Sequence, residues 1–378
     1  MLYLDAAATT PVRREVLEAM WPYLTGDFGN PSSQSALGFN AATALSEARR
    51  AVATRLGVRA SEVIFTSGGT EADNLAIKGI ALATPRGRHL VISAIEHEAV
   101  LESARYLERF HDFAVTTLPV DSEGLVAPAA LASVLRPDTT LVSIMYANNE
   151  IGTVQPIAGL AAVARAAGVL FHTDAVQAAG VLPLDLTTLG VDALSISGHK
   201  LGAPKGIGVL VARSRVALEP LIHGGGQERG IRSGTENVAG AVGLARALEL
   251  ASGADASALL PRRDRLVAGV LATVAQARLT GHPTARLPGH VSFVFPGTSG
   301  ESLLLELENR GIVTSSGSAC AAGSDEPSAV LLALGLSPGI AQTAVRFSFG
   351  AEVSDDDIET VIEAVGASVA TVRGLAPR

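Results

Sequence analysis

The chain has 378 residues and a mass of 38.6 kDa, 48% hydrophobic but only 4% aromatic, with 39 glycines. That balance fits an α/β protein of two domains and excludes a peptide, a coiled coil or a disordered chain. A net charge of −8, with no segment that gathers Lys and Arg into a stripe, excludes nucleic acid as an expected partner. The single cysteine, Cys320, rules out an intramolecular disulfide and a cysteine zinc cluster, so no metal is expected. Mean hydropathy is +0.34, yet no apolar stretch reaches about 18 residues without a charge, so no membrane partner is expected. The opening Met1-Leu2-Tyr3-Leu4-Asp5 lacks a basic segment followed by an apolar one, and the expectation is a soluble, cytoplasmic protein.

In chain order, helical stretches alternate with short apolar runs, the pattern of βαβ units on a mostly parallel sheet. Helices are expected over 41–56, 71–82, 99–110 and 157–167. Seven apolar runs, 63–65, 90–92, 113–118, 141–145, 169–171, 193–196 and 208–212, predict a seven-stranded sheet. Near Ala251-Ser252-Gly253-Ala254-Asp255 the composition turns small and polar, as at a domain boundary. The expected division is a large domain over 15–254 and a smaller α+β domain made of 1–14 and 255–378. In the latter, helices are expected over 265–277 and 302–308 and after Ser354, with a strand over 290–295.

Ligands of parallel sheets bind beyond the carboxyl ends of the strands, so the residues that follow each apolar run carry the functional information. They are Thr66-Ser67-Gly68-Gly69-Thr70-Glu71, Glu96-His97-Glu98, Asn148-Asn149-Glu150, His172-Thr173-Asp174-Ala175-Val176-Gln177 and Ser197-Gly198-His199-Lys200. Only three of the 29 basic side chains are lysines, Lys78, Lys200 and Lys205. A lysine retained at a strand end suggests chemistry that Arg cannot perform, because its amine can lose a proton and condense with a carbonyl. Asp174 reads locally as a helix cap, but beside Lys200 it is the carboxylate that a pyridoxal phosphate ring nitrogen needs. The Ser67-Gly68-Gly69-Thr70 turn is a candidate anion site, and His97 is a structural histidine or a ring that stacks and shuttles protons. Cys320 sits among Ser, Gly and Ala, with no large apolar neighbour from Ser315 to Ser324, and reads as a thiol on a loop rather than a core residue. Arg346, in an alternating run, holds a carboxylate bidentately or forms a structural ion pair.

Together these segments resemble the cysteine desulfurases, in the class V aminotransferase branch of the fold type I pyridoxal phosphate enzymes. The resemblance also rests on Tyr3-Leu4-Asp5-Ala6-Ala7-Ala8-Thr9-Thr10, Gly29-Asn30-Pro31-Ser32-Ser33, Glu71-Ala72-Asp73-Asn74, His223-Gly224-Gly225-Gly226-Gln227, Arg232-Ser233-Gly234-Thr235 and Ser316-Gly317-Ser318-Ala319-Cys320. It implies a fold type I transferase with a pyridoxal 5'-phosphate cofactor, linked to Lys200 as a Schiff base. Asp174 would hold the pyridine nitrogen, Gln177 the ring hydroxyl, and His97 would stack on the ring. Gly69, Thr70, Ser197 and His199 would cradle the phosphate, with Thr235 reaching the phosphate of a neighbouring subunit in a homodimer. Asn148 would touch cofactor and substrate, and with Arg346 would hold the carboxylate of L-cysteine. Cys320 would take the sulfur as a persulfide, releasing L-alanine and passing sulfur to an acceptor protein, a scaffold or a carrier, in iron-sulfur cluster assembly or thiolation.

The extended small-residue segment around Cys320 resembles the NifS and IscS type rather than the SufS type. Ser35 stands where the family usually has histidine, and the chain ends at Arg378, short of the tail with which some members engage a scaffold. Selenocysteine lyases and other class V aminotransferases share the lysine and the aspartate, and a silent pyridoxal-phosphate-fold binding protein is a further alternative. A transaminase has no need of Cys320.

Overall fold

The structure is a computed structural model that describes residues 1–83, 86–252, 255–316 and 326–375. Strands β1 (Leu2–Tyr3), β2 (Val63–Thr66), β3 (His89–Ser93) and β4 (Ala114–Leu118) are followed by β5 (Thr139–Ser143), β6 (Leu170–Asp174), β7 (Ala193–Ser197) and β8 (Gly208–Ala212). Beyond them lie β9 (Arg278–Leu279), β10 (His290–Val294), β11 (Ile312–Val313) and β12 (Ala344–Ser348). The seven expected runs form one sheet in the order β2-β8-β7-β6-β5-β3-β4. Only β8 runs antiparallel to its neighbours, while the pairs from β7 through β4 are parallel. In β5, β7 and β8 every residue is buried, which is why they read as continuous apolar runs rather than as alternation.

Helices cover both faces of this sheet and create two cores. One gathers Val52, Leu56, Phe65, Val142, Phe171 and Leu194 with Leu244 and Leu248, and the other gathers Ile64, Ile77, Ile80, Leu90 and Leu210. The expected helices appear at Ala36–Leu56, Glu98–His111 and Ile157–Ala166. The one expected over 71–82 is split into Gly69–Asn74, a π turn Leu75–Gly79 and Ile80–Ala83. Helices Arg14–Thr25 and Val238–Ser252 were not foreseen: the first carries Pro22 inside it, and the second is so apolar that its period is blurred.

A second region has its own sheet and core. Strands β12, β10 and β9 form an antiparallel sheet, and Leu4 packs with Leu266, Phe293, Phe295, Phe347, Ile358 and Val365. Its helices are Leu260–Thr273, Gly300–Asn309 and Asp355–Leu375. The first residues of the chain act as a strap between the two sheets. Strand β1 pairs with β11, Asp5 lies beside Ser348, and then the Thr10 and Arg13 amides donate to the carbonyls of His199 and Gly202 (2.9 and 3.0 Å).

Candidate active site

A cavity of about 840 Å³ opens at the carboxyl ends of β2, β3, β5, β6 and β7, bounded by the strap and by Arg346 of β12. One wall is the turn after β2. The Thr66 hydroxyl donates to the Gly68 carbonyl (3.0 Å), and Gly208 of β8 passes so close that a Cβ there would lie 2.6 Å from the Gly68 backbone. A Cβ on Gly69 would come within 2.8 Å of Val176 and 3.3 Å of Ser197. Glycine is therefore required at both positions by close approach, and Ser67, Gly69, Thr70, Ser197 and His199 all face the same space. Burial, and then the charges of Lys200 and Lys205, push the His199 imidazole down to about 4, so it is neutral at pH 7. Its Nδ1 lies 3.1 Å from the Thr9 hydroxyl.

The floor is a polar strip built by strand register. Ser143 of β5 pairs with His172 of β6, and Asp174, two residues on and so on the same face, pairs with Ser195 of β7. The His172 ring is fully buried between Ser143 Oγ and Ser195 Oγ (both 2.9 Å), and burial pushes it down to about 3. Asp174 accepts the Val176 amide (2.8 Å), and its carboxyl is pushed up by burial while His97 and Lys200 pull it back. Beside it, Asp73 is pushed well above the usual carboxylate range by burial and by the Asp174 charge. Glu96 accepts Ser93 Oγ (2.5 Å) and the Met145 amide (2.9 Å), and burial pushes its carboxyl up to about 8. Among the described residues, Asp73 Oδ1 and Glu96 Oε2 are buried without a hydrogen-bond partner at the edge of the cavity, with His172 Nε2 3.7 Å from the former.

Lys200 lies at the end of a single 3-10 turn directly after β7, and its ammonium donates to the strap carbonyls of Ala7 and Ala8, the latter at 2.6 Å. The Gln177 amide donates to the Ala7 carbonyl (3.0 Å). The His97 ring caps the helix Glu98–His111 by accepting the Ala99 amide at Nδ1 (3.1 Å), which fixes its tautomer. At the opposite end of the cavity Arg346 donates to Asp5 (2.5 Å) and to the Asn149 carbonyl (2.8 Å). Glu150 is half-buried there and its carboxyl is pushed up by desolvation, while Ser328 donates to it.

Lys200, His97, Asp174, Gln177, Gly69, Thr70, Ser197, His199 and Arg346 thus line one cavity. Asn148 does not. Its amide donates to the Ile95 carbonyl (2.9 Å) and its oxygen accepts the Glu150 and Ile151 amides (2.9 and 3.0 Å), so its side chain shapes the turn, and the neighbouring Asn149 lines the cavity instead. Thr235 is exposed and outside the cavity. Cys320 lies outside the described residues. Asp73, Glu96, Asn149 and Glu150 also line the cavity; the sequence assigns none of them a role, although Glu96, Asn149 and Glu150 follow apolar runs and Asp73 lies in a motif of the resemblance.

The aminotransferase class-V family pattern matches residues 2–361. A protein of Methanosarcina thermophila named "Cysteine desulfurase IscS" is 48% identical over 100% of this chain and 94% of its own length. One of Cereibacter sphaeroides named "Cysteine desulfurase" is 47% identical over 100% and 97%. Among solved structures, a "NIFS-LIKE PROTEIN" superposes with a TM-score of 0.91 at 38% identity, covering 98% of this chain and 99% of that one. Another, described as "SspA in complex with cysteine", gives 0.83 at 37% identity, covering 92% and 99%. With this sheet order, this cavity and these relatives, the chain belongs to the aminotransferase class-V family, among its cysteine desulfurases of fold type I.

Proposed function

We propose that this chain uses pyridoxal 5'-phosphate to take the sulfur of L-cysteine, releasing L-alanine and leaving a persulfide on Cys320 for an acceptor protein. The observation that carries the reading is the convergence of Lys200, Asp174, His97 and Arg346 on one cavity that also presents Thr70, Ser197 and His199. The donor set fits the cofactor. A buried carboxylate lies on the floor, hydroxyls and a close-packed glycine turn line one wall, and an amine stands between them. When bound, the cofactor supplies an electron sink for the bonds around the α-carbon of an amino acid.

The chain's own residues would divide the work. Lys200 would hold the aldehyde carbon and, once released by substrate, move the proton of the α-carbon. Asp174 would hold the proton on the ring nitrogen, in a dry setting that strengthens the pairing. Gln177 would meet the ring hydroxyl and His97 would stack on the ring. Gly69, Thr70, Ser197 and neutral His199 would donate to the phosphate, and Thr235 of a neighbouring subunit would add a further donor in a homodimer. Arg346 and Asn149 would receive the substrate's carboxylate, Asn149 taking the place expected for Asn148. The segment that carries Cys320 is anchored at both ends at this cavity: Ser315 pairs with Arg346, and 326–330 line the wall. A thiolate brought in along that path would bond to the substrate sulfur as its bond to carbon breaks, and the carbon would take a proton to leave as alanine.

The test is purified protein loaded with the cofactor and given L-cysteine. The wild type should be yellow and release alanine. Lys200→Ala should lose turnover to background, and a variant that still turned over would overturn the reading.

A further inference from the structure

Asp5 of the strap is not among the residues that line the cavity, yet its carboxylate pairs with Arg346, which is. Arg346 is 1% exposed and the Asp5 side chain 16%. Arg346 Nη2 meets Asp5 Oδ1, and Nη1 donates to the Asn149 carbonyl (2.8 Å). Two acceptors on separate nitrogens of a planar group fix its rotation as well as its position.

The residues on either side of Asp5 are held in turn by bonds to the neighbouring strands. The Leu4 amide donates to Val313 (2.8 Å), the Ser348 amide to Leu4 (2.8 Å), the Ala6 amide to Ser348 (3.0 Å), and the Ala7 amide to Ser348 Oγ (2.8 Å). The Tyr3 phenol donates to the Asp5 and Thr9 carbonyls (3.0 and 2.7 Å), closing the turn from the far side. The other ionisable groups around Arg346 are differently engaged. Glu150 accepts from Ser328, and His290, on the adjacent strand β10, is buried and hydrogen-bonded to the Glu150 carbonyl (3.0 Å). A carboxylate presented so rigidly to a buried guanidinium aims it.

We infer that Asp5 is a positioning residue that sets Arg346 for the carboxylate of the amino-acid substrate. The inference rests on the reading of Arg346 as the carboxylate holder. It makes a structural ion pair and a binding role two halves of one arrangement. It also assigns a function to the Asp of the Tyr3-Leu4-Asp5 segment, which neither the cofactor nor the sulfur chemistry requires.

The experiment compares cofactor-loaded wild type, Asp5→Asn, Asp5→Glu, Arg346→Ala and Asp5→Asn combined with Arg346→Ala. It reads KM and kcat for L-cysteine, together with the dissociation constant of L-alanine from the change in visible absorbance. Asp5→Asn should raise KM and the L-alanine constant about tenfold, the value of one charge-assisted contact, with kcat within about twofold. Asp5→Glu, which keeps the charge and the fold if Asn does not, should recover part of the loss. In the Arg346→Ala background, Asp5→Asn should add nothing. A KM that is unchanged or lowered by Asp5→Asn, or raised equally in both backgrounds, overturns the inference alone, provided that Arg346→Ala raises KM. An unchanged KM in Arg346→Ala overturns the reading of Arg346 and the inference with it.

Discussion

Asp73, Glu96 and Asp174 share one dry floor, and three carboxylates cannot all be ionised in such a space. Burial pushes Glu96 up to about 8, against 4.5 for an ordinary glutamate. Between those values the unfolded chain has released the proton and the native protein retains it. Glu96 therefore contributes fully below about 4.5, and its contribution is lost as pH rises through about 8. Glu96→Gln keeps an acceptor for Ser93 and Met145 without a titrating proton. It should melt higher than wild type at pH 8.5 and by a smaller margin, or none, at pH 5, as calorimetry across that range would show. A margin independent of pH would mean that Glu96 is ionised when folded. At this scale the reactive groups were legible, because Lys200 is rare in an arginine-rich chain and Lys200, Asp174 and His97 follow apolar runs. Asn148 and Asn149 were not separable, since which of two adjacent amides turns inward depends on the turn that Ile95 and Met145 help to build. Asp5 and Asp73 lie in motifs of the resemblance, but their contacts, with Arg346 and with the buried floor, join residues far apart in sequence and leave no local signal of a role.

Six of the seven strands were legible as apolar runs because burial on both faces removes the alternation that would otherwise disguise them, while β4, at the edge of the sheet, is exposed or half-buried at four of its five residues. The helix expected over 41–56 ends where the structure ends Ala36–Leu56, at Gly57, which is left-handed (φ 65°). The π turn at Leu75–Gly79 and the helix Arg14–Thr25 were not legible, the first because five residues of looser winding carry no composition of their own, the second because Pro22 argues for a break. The turn Gly68–Gly69 depends on the strand beside it, and this gives a test. Gly208→Ala would force a methyl to within 2.6 Å of the Gly68 backbone. It should cost about 1–3 kcal/mol and weaken cofactor retention. Gly339→Ala, in the short helix Pro338–Ala341 with nothing within 4 Å, should change neither. Thermal midpoint and the visible absorbance retained after dialysis check both variants, and a Gly208→Ala protein that behaves as wild type would contradict the close packing.

Across the whole molecule, the buried histidines His89, His172 and His290 shape the acid limit. Burial pushes both His172 and His290 down to about 3, so they stay neutral when folded but take up protons when unfolded below about 6.5. The stability they contribute is complete above that pH and is lost on acidification towards about 3. Alone, these two rings make a slope of about 3 kcal/mol per pH unit between pH 6 and 4, but the buried carboxyls of Glu96 and Asp73, pushed up, oppose it over much of that range. Equilibrium unfolding in urea of wild type and His172→Asn isolates one ring: their difference in stability should change by about 1.4 kcal/mol per pH unit, and a difference independent of pH would contradict the burial of that ring. We propose a large domain over 15–254 and a smaller one from 1–14 and 255–378, a reading motivated by the separate core around Leu4 and Phe293. Thr235 is exposed, as a contact across the proposed homodimer would need, and sedimentation at micromolar concentration should detect that dimer as twice 38.6 kDa. The most direct measurement compares wild type with Cys320→Ser, each loaded with pyridoxal 5'-phosphate and given L-cysteine, and follows visible absorbance, alanine and protein-bound persulfide together. Cysteine desulfurization through Cys320 predicts that the variant keeps its colour and its spectral response to L-cysteine, yet forms no persulfide and releases little alanine. Sulfur release near the wild-type rate from Cys320→Ser would contradict it and favour selenocysteine lyase chemistry.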